Sequence, residues 1–550
     1  MRFLRRPFYP AAAAITGLAL WLRLYRLSAQ ELWVDEAFSY LVATLPTGLD
    51  FALVDPSPPL FYALLALWVP AVGASEFAVR LLPALLGTAG VAGLIGAGRA
   101  IVNRRVGLWG GLFAAVAPTH VYYSQEARAY ALLMSAILLA LWAFWRAYRR
   151  NRLRDWVLAA LAAALALGTH YLALPALAAT VYLFAGVRES RRRLRHAAAL
   201  CAAALAVLPW TVSSLSYQWR VLGGGPPIDW MRSFWEETPP ILAIPKSLEI
   251  LGLGAQPGLI PLRLKVLTQV EFPPALRLLG LAILVALGIA AARSVAVALR
   301  RREGGSTIEA PGDPGPGDGP DGRVYVVVAL LLPLVLLWLT SWVRPIYVVG
   351  RSDVIVFPAY ALCVGIALDH LQRFGRSWIR PGPWLLLLLL VPIGWKLHGY
   401  YAEPAADWQR RTAVAVSDRV DSGDVVLFAG LRGAGVLYYL DRLGTRWRDG
   451  LCVDEVGRRK YGCRLFPLKT EVLLAGRPAG GSARSAGELA AELEELLRDL
   501  DAERGGRVFV AYEAPTGPPP RLDELLQLLG FERGGSDSEL RIAVYANGPR

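Results

Sequence analysis

The sequence predicts a polytopic α-helical membrane protein that ends in a soluble α/β domain. The chain has 550 residues, 55% of them hydrophobic, and its mean hydropathy is +0.40. Apolar runs of roughly 17 to 25 residues, the length that crosses a bilayer, recur as far as residue 402. The net charge of +14 lies mainly in short arginine clusters between these runs, where the positive-inside rule expects it. A nucleic-acid partner is therefore not predicted.

The first membrane helix is predicted over residues 7–22. Arginines flank it on both sides, at Arg2, Arg5, Arg6, Arg23 and Arg26. Because no clean cleavage site of small residues follows the apolar stretch, we expect this helix to remain uncleaved.

Residues 28–57 form the first predicted outer loop, which contains five carboxylates and no Lys or Arg. They are Glu31, Asp35, Glu36, Asp50 and Asp55. Adjacent carboxylates such as Asp35 and Glu36 are costly at a membrane surface unless they are solvated, paired or used in chemistry. A membrane enzyme that works on its outer face would hold a base in such a loop.

Two apolar pieces, 59–72 and 77–98, follow this loop and are separated by Glu76 and Arg80. If both crossed the membrane, Arg104 and every later arginine cluster would lie outside. The charge rule therefore predicts an odd number of crossings here, with 59–72 partly interfacial. The predicted total is about eleven spans, within a range of about ten to thirteen.

Eight further apolar segments alternate between the two faces when every arginine cluster lies in the cytoplasm. They lie near residues 130–146, 156–169, 172–187, 196–212, 276–298, 324–343, 353–370 and 383–402. The arginine clusters between them are 146–154, 188–195, 300–302 and 373–380. In this topology residues 303–322, rich in Pro, Gly and Asp, form a disordered cytoplasmic loop, and residues 213–275 form an outer loop.

Residues 403–550 have a soluble composition and are predicted to form an extracytoplasmic α/β domain. The predicted strands are 424–430, 470–476, 507–513 and 540–546, and the predicted helices are 405–418, 485–503 and 521–529. The glycine-rich turn at 430–435 lacks dinucleotide-binding spacing and is interpreted as a loop. Cys452 and Cys463 could form a disulfide in an oxidising compartment, although spacing alone does not establish the geometry.

The polar residues beside the predicted spans converge on one membrane face in this topology. They are Asp35, Glu36, Asp55, Glu76, Arg80, Glu126, Arg128, Tyr130, His170, Tyr347 and Arg351. A carboxylate can take a proton from an incoming hydroxyl, and arginines can hold a phosphate that leaves with negative charge. The set indicates a reaction on a lipid-linked phosphate.

Each of these residues also has a purely structural interpretation. Asp35 could cap an interfacial helix, and Glu126 and Arg128 could pair with neighbouring helices. His170 could be an interfacial histidine with its hydrogen bonds satisfied, and Arg351 could extend its side chain to lipid headgroups. Only the joint placement on one face favours chemistry.

Four motifs carry a resemblance to a known superfamily. They are WVDEAFSY at 33–40, SPPLFY at 57–62, SEFAVRLLP at 75–83 and YSQEARAY at 123–130. Their order and spacing resemble the bacterial branch of the protein-mannosyltransferase and aminoarabinose-transferase superfamily, which are membrane glycosyltransferases with the GT-C fold. DWQR at 407–410 resembles the start of the outer domain in many such proteins.

The resemblance implies an inverting, metal-independent transfer of a sugar from a polyprenyl-phosphate-linked donor to an acceptor hydroxyl. The reaction would occur at the outer face of the cell membrane, without a cofactor. The family's catalytic acidic residue falls on Asp35, with Glu36 assisting it. The implied phosphate ligands are Arg80, Arg128 and Arg351, and the sugar and lipid site would be shaped by Glu126, Tyr130, His170 and Tyr347.

The chain departs from the family pattern at two positions. Arg351-Ser352 stands where the family often has Arg-Tyr, and Ser57 stands where the aminoarabinose branch has a lysine. The second departure argues against aminoarabinose as the sugar. The acceptor, whether protein, lipid or cell-wall glycan, does not follow from the sequence.

Two rival functions remain open from the sequence. A lipid or solute transporter would place its charges at mid-span depth and often show an internal repeat, whereas the charges here lie at span ends. A non-catalytic assembly protein would bind partners through residues 403–550. If the enzyme interpretation holds, we expect that domain to tune acceptor access, with the catalytic centre outside it.

Overall fold

The computed structural model of the chain describes most of the membrane part and the larger share of the C-terminal part. The described residues are 8–45, 48, 52–53, 55, 57–186, 189–222, 229–255, 270–303, 320–373, 381–402, 408–421, 423–428, 433–448, 451–453, 459–465, 493–494, 497, 506–511, 520–539 and 541–547.

The described part of the chain up to residue 402 is helical. Its helices are α1 (Phe8–Leu24), α2 (Val34–Thr44), α3 (Leu60–Val72), α4 (Glu76–Ile101), α5 (Arg104–Val116), α6 (Pro118–Ser124), α7 (Tyr130–Arg150), α8 (Leu153–Thr169), α9 (Ala173–Ala178), α10 (Val181–Ala185), α11 (Ser190–Leu222), α12 (Asp229–Glu237), α13 (Pro240–Leu253), α14 (Pro274–Glu303), α15 (Gly322–Ser341), α16 (Phe357–Leu371) and α17 (Pro381–Ala402). A 3₁₀ turn (Ser352–Val356) leads into α16. Seven of these segments are long and apolar enough to cross a membrane, counted within the described residues.

The helices agree with the predicted apolar segments, and five more are present within the described residues: α2, α5, α6, α12 and α13. Helix α2 lies in the predicted outer loop 28–57, and α12 and α13 lie in the predicted outer loop 213–275, so both loops are partly helical. The pieces 59–72 and 77–98 are indeed separate helices, α3 and α4. Helix α5 was missed because its sequence is short, rich in glycine and opened by arginines. It begins at Asn103, whose side chain accepts hydrogen bonds from Arg105 N and Val106 N. The predicted span 172–187 is interrupted and forms the short helices α9 and α10.

Glycines allow α4, α5 and α16 to cross at close range. A Cβ at Gly98 would lie 2.7 Å from the Cα of Gly107, and a Cβ at Gly110 would lie 2.9 Å from the Ala361 carbonyl. Small residues let helix backbones approach closely in membranes, where packing stabilises association. This packing explains why the glycine-rich α5 is a buried helix in the centre of the bundle.

The two ends of the helix bundle differ in charge. At one end, arginines pair with carboxylates in the terminal turns of helices: Arg146 with Asp155 of α8 at 2.7 Å, and Arg373 with Asp369 of α16 at 2.9 Å. We call this the arginine-rich end. The opposite end carries α2, the loop before α7 and the loop before the 3₁₀ turn, and the C-terminal domain packs on it.

The C-terminal domain is a mixed sheet flanked by helices. Its elements are α18 (Trp408–Arg419), β1 (Val425–Phe428), α19 (Ala434–Arg442), β2 (Arg446–Arg448), β3 (Leu451–Val453), β4 (Arg459–Leu465), β5 (Val508–Ala511), α20 (Pro520–Leu528), β6 (Phe531–Asp537) and β7 (Ile542–Asn547). The strand order is β2-β3-β4-β1-β5-β7-β6. Strand β1 is parallel to β4 and β5, and the outer pairs are antiparallel. The predicted α/β class is confirmed within the described residues.

Several predictions fall outside the described residues. They are most of the loop 303–322, the strand 470–476 and most of the helix 485–503. The backbone places Cys452 opposite Tyr461, two residues from Cys463, but the side chains of both cysteines lie outside the description. Their disulfide stays a prediction.

Candidate active site

The acidic loop leads into α2, which presents Asp35 at its first turn. The helix begins after Trp33, whose backbone N–H donates to Glu36 Oε2 at 3.2 Å, so the side chain of the third helical residue caps the N-terminus of α2. Acidic side chains in a first turn are stabilised by the helix dipole. The carboxylate of Asp35 accepts a hydrogen bond from Arg351 Nη2 at 3.1 Å. The two side chains are 22% and 24% exposed, so this ion pair remains open to a ligand.

Glu36 is locked in place although it adjoins Asp35. Its carboxylate accepts hydrogen bonds from Arg80 Nε at 2.8 Å, Arg80 Nη2 at 2.7 Å and Ala127 N at 2.9 Å. Its side chain is only 3% exposed. Glu36 thereby joins α2 to α4 and to the loop before α7, which suits a positioning residue better than a reacting one.

Arg80 also differs from its predicted role. Its remaining hydrogen bonds go to the backbone carbonyls of Leu27, Gln30 and Glu31. Together with the two bonds to Glu36, these occupy all of the donors that a guanidinium has. The geometry leaves Arg80 no donor for a phosphate, so the predicted phosphate contact of Arg80 is not supported, and the residue holds the acidic loop.

Arg128 lies beside Asp35 and is almost fully enclosed. Its Nη1 donates to the Tyr62 hydroxyl at 2.9 Å and to Ser39 Oγ at 3.3 Å, and its Nη2 lies 3.6 Å from Asp55 Oδ2. Burial alone would lower the pKa of Arg128, but Tyr62, Asp55 and Asp35 raise it well above its usual value. Arg128 therefore stays charged at the wall of the site.

Glu126 is another buried carboxylate of the site. Its pKa is raised well above the usual range by burial and by the nearby carboxylates of Glu36 and Asp35. A carboxyl group with a raised pKa can carry a proton at a pH where exposed carboxylates do not. Arg351 and Arg128 oppose this shift in part.

Arg351 reaches the site from a tightly built loop. Gly350 has a φ of +82°, a conformation that favours glycine. Its N–H donates to Asp353 Oδ2 at 2.9 Å, and its carbonyl accepts a hydrogen bond from the Tyr123 hydroxyl. The loop thus directs Arg351, whose Nε donates to the Tyr130 hydroxyl at 2.6 Å. The structure therefore brings Tyr130 and Arg351 into direct contact, and their roles in binding stay a prediction.

His170 lies at the same end of the bundle, at the end of α8. Its Nδ1 accepts a hydrogen bond from Leu172 N at 3.1 Å. Burial lowers its pKa to about 4, with Asp55 opposing the shift and Arg128 and Arg351 adding to it. His170 is therefore neutral at physiological pH.

Tyr347 does not line the opening at Asp35. It is 1% exposed, its hydroxyl shares a hydrogen bond with Ser247 Oγ at 2.7 Å, and its ring stacks on Trp235. The predicted substrate contact of Tyr347 is not supported by this geometry, because the side chain is enclosed between α12, α13 and the Arg351 loop.

Three residues of the site were not assigned a role from the sequence. They are Ser39 and Tyr62 beside Arg128, and Asp353 behind Arg351. Ser39 and Tyr62 lie within the motifs WVDEAFSY and SPPLFY, which could have pointed to them, whereas nothing in the local pattern distinguishes Asp353. Asp55, which the sequence placed on the same face, lies 3.6 Å from Arg128. The described residues contain no group of three or more His, Cys, Asp or Glu side chains that could hold a metal ion.

The overall architecture matches solved structures. ArnT from Cupriavidus metallidurans in the apo state aligns with a TM-score of 0.56 and 14% identity, over 98% of this chain and 99% of that chain. The same protein bound to undecaprenyl phosphate aligns equally well, with the same TM-score of 0.56. The oligosaccharyltransferase of Archaeoglobus fulgidus in the apo form aligns with a TM-score of 0.52 and 12% identity, over 80% of this chain and 64% of that chain.

The chain has the GT-C fold. Residues 56–215 match the family model described as dolichyl-phosphate-mannose-protein mannosyltransferase. The resemblance of the motifs at 57–62, 75–83 and 123–130 is therefore confirmed by the family model, and the solved structures show the same fold. Among the curated proteins, none matches this sequence. In this GT-C protein the matched region carries Arg80, Glu126, Arg128 and His170, whereas Asp35 and Arg351 lie outside it.

Proposed function

We propose that this GT-C protein transfers a sugar from a polyprenyl-phosphate-linked donor to an acceptor hydroxyl, with inversion and with Asp35 as the general base. The observation that carries the proposal is the partly exposed Asp35–Arg351 ion pair, at the edge of an otherwise buried cluster of charged residues. The structure of ArnT bound to undecaprenyl phosphate supports a polyprenyl-linked donor.

The arginine distribution supports a site on the extracytoplasmic side of the cell membrane. Asp35 and Arg351 lie at the end of the bundle opposite the arginine-rich end, which the positive-inside rule assigns to the cytoplasm. The C-terminal domain shares the end that carries Asp35, so it would also be extracytoplasmic.

Donor binding would change the environment of the base. In the present arrangement Arg351 neutralises Asp35 at 3.1 Å. A donor phosphate that takes over the guanidinium of Arg351 would leave the carboxylate of Asp35 free to accept a proton. Arginine binds phosphate with two parallel hydrogen bonds, so a donor phosphate can compete with Asp35 for the guanidinium of Arg351.

The transfer would follow as a single displacement. Asp35 takes the proton of the acceptor hydroxyl, and the acceptor oxygen attacks the anomeric carbon. The bond from that carbon to the phosphate oxygen breaks, and the polyprenyl phosphate leaves with the bonding electron pair. Arg351, with Arg128 behind it, would stabilise the negative charge that develops on the phosphate.

We expect Asp35→Asn to abolish transfer while the protein stays folded. Removal of a general base typically costs about 10²- to 10⁴-fold in rate. The measurement is transfer by purified protein from a series of polyprenyl-phosphate-linked hexoses and pentoses. A matched control is Asp537→Asn, which removes a carboxylate 3.9 Å from Arg419 in the outer domain. Turnover of Asp35→Asn close to that of the control would remove Asp35 from the mechanism.

A further inference from the structure

The acidic loop that carries Asp35 is also held by the C-terminal domain. The carboxylate of Glu31 accepts hydrogen bonds from Gln409 N at 3.2 Å and Arg410 N at 2.7 Å. These two N–H groups belong to the first turn of α18, where backbone donors lack a partner within the helix. Glu31 is 9% exposed, so this contact is enclosed between the two domains.

A second contact lies next to the first and passes through one tyrosine. The hydroxyl of Tyr439, on α19, accepts a hydrogen bond from Leu32 N at 3.2 Å and donates one to Glu76 Oε1 at 3.2 Å. The same Glu76 oxygen accepts a hydrogen bond from Arg410 Nη2 at 2.6 Å. Tyr439 and Arg410 thus connect the C-terminal domain to the acidic loop and to the start of α4.

A third contact holds the other side of α2. The Tyr40 hydroxyl donates to Asp441 Oδ2 at 2.5 Å, and the Tyr438 hydroxyl donates to the Ala74 carbonyl at 2.8 Å. The apolar faces of α2, α3 and α19 pack in one core. Asp35 therefore lies between two points, Leu32 and Tyr40, that both hydrogen-bond to α19.

We propose that the C-terminal domain is a positioning part of the active site, acting through Tyr439 and Arg410 on the segment 31–40. It sets the direction of the Asp35 carboxylate relative to Arg351. The membrane domain holds this segment from one side through Arg80 and Glu36, and the C-terminal domain holds it from the other. This inference rests on the proposed role of Asp35 as the base, and it makes Tyr439 and Arg410 positioning residues.

Tyr439→Phe and Arg410→Gln test the proposal. Small displacements of a reacting group have large effects on rate, up to about 10²-fold for 1 Å. We expect kcat for transfer to fall roughly tenfold in each variant while KM for the donor and the melting temperature stay close to wild type. Arg410→Lys keeps the charge opposite Glu76 and should recover much of the rate.

Arg419→Gln is the matched control on the same helix. Arg419 is exposed and pairs at 3.9 Å with Asp537 inside the C-terminal domain. The Arg419→Gln variant should have the kcat and KM of the wild-type protein. Wild-type kcat in folded Tyr439→Phe and Arg410→Gln would overturn the proposal, and so would a loss of activity that only follows a lower melting temperature.

A second readout separates this inference from the proposed function. Hydrogen exchange of the backbone of α2 does not depend on activity. Tyr439→Phe and Arg410→Gln should increase exchange in α2, and Arg419→Gln should not. If wild-type protein transfers no sugar, the proposed function fails, and increased exchange in α2 would still support the positioning contact. Unchanged exchange in α2 would refute it.

Discussion

At the scale of single residues, two adjacent carboxylates have opposite environments. The side chain of Asp35 is 22% exposed and pairs with an arginine that is itself partly open, whereas the side chain of Glu36 is 3% exposed and fully engaged. The difference follows from the helix: successive residues of α2 point in different directions, so one faces the opening and the other faces α4. The same contrast separates Arg351 from Arg80.

Glu36→Gln is expected to lower stability more than it lowers the chemical rate. The change leaves Arg80 buried without its charged partner, and breaking a buried ion pair typically costs about 3–5 kcal/mol. Thermal unfolding of the purified protein is the measurement, with Glu249→Gln as a control, because Glu249 pairs with the more exposed Arg277. A variant with wild-type stability would show that the pair is not required for folding.

Replacement of Arg351 by Lys is expected to weaken donor binding on the order of tenfold. A lysine is a point charge and cannot form the planar paired contact of arginine with phosphate, and charge-assisted hydrogen bonds contribute about 1.5–3 kcal/mol each. Arg128→Lys should affect donor binding less and stability more, because the described contacts of Arg128 are with Tyr62, Ser39 and Asp55.

Donor affinity and melting temperature should be measured for both variants, to show which of the two arginines binds the donor phosphate. Unchanged donor affinity in Arg351→Lys would exclude Arg351 as the phosphate ligand. A large loss of affinity in Arg128→Lys at wild-type stability would transfer that role to Arg128.

At the scale of elements, a buried arginine organises the break between α5 and α6. Arg23 is 0% exposed, and its guanidinium donates to the carbonyls of Ala19, Ala114 and Ala115, to Ser124 Oγ and to His120 Nδ1. Two of these carbonyls lie at the end of α5, where Pro118 has no N–H to continue the helix. Arg23 therefore satisfies the carbonyls exposed by the break that leads to Glu126 and Arg128.

Arg23→Lys is expected to lower the melting temperature clearly, because lysine has three donors where arginine has five. Buried carbonyls that lose their partner cost about 1–3 kcal/mol each. Arg99→Lys is a suitable control, since Arg99 makes only a long contact of 3.4 Å to Tyr9 among its described hydrogen bonds. A melting temperature equal to that of the control would mean that the helix break is stable without this residue.

At the scale of the whole molecule, the two domains are joined by a shared core. Phe38 and Leu41 of α2, Phe61 of α3, and Val436 and Leu440 of α19 all belong to one buried apolar cluster. The C-terminal domain was expected only to tune acceptor access. The shared core indicates a closer connection, because removal of residues 403–550 would expose the apolar faces of α2 and α3.

A truncation after Tyr401 is therefore expected to lower the stability of the remaining membrane domain and to reduce transfer strongly. Exposing apolar surface to water costs about 25 cal/mol per Å². The surface exposed by the truncation belongs to α2 and α3, so the loss of stability affects the helix that carries Asp35. Thermal unfolding, donor binding and transfer are the measurements. A stable truncated protein that transfers sugar at the full rate would contradict both the shared core and the positioning role of the C-terminal domain.

The count of crossings remains a prediction at this scale. Within the described residues seven helices are long and apolar enough to cross, and α1, α3 and the segment Ala173–Ala185 are shorter apolar helices. The charge rule places Arg104 in the cytoplasm, which requires an odd number of crossings over α3 and α4. Labelling of Arg104 from the cytoplasmic side would test the arrangement, because α5 begins there.

The sequence by itself determined the class of the protein and the place of its acidic loop. Hydropathy and arginine position are read from local sequence, because each span must satisfy its own backbone hydrogen bonds and be apolar along its length. Only the tertiary structure decided which carboxylate is open. Asp35 meets Arg351 across 316 positions and Glu36 meets Arg80 across 44, and contacts between residues so far apart depend on how the helices pack, which local composition does not encode.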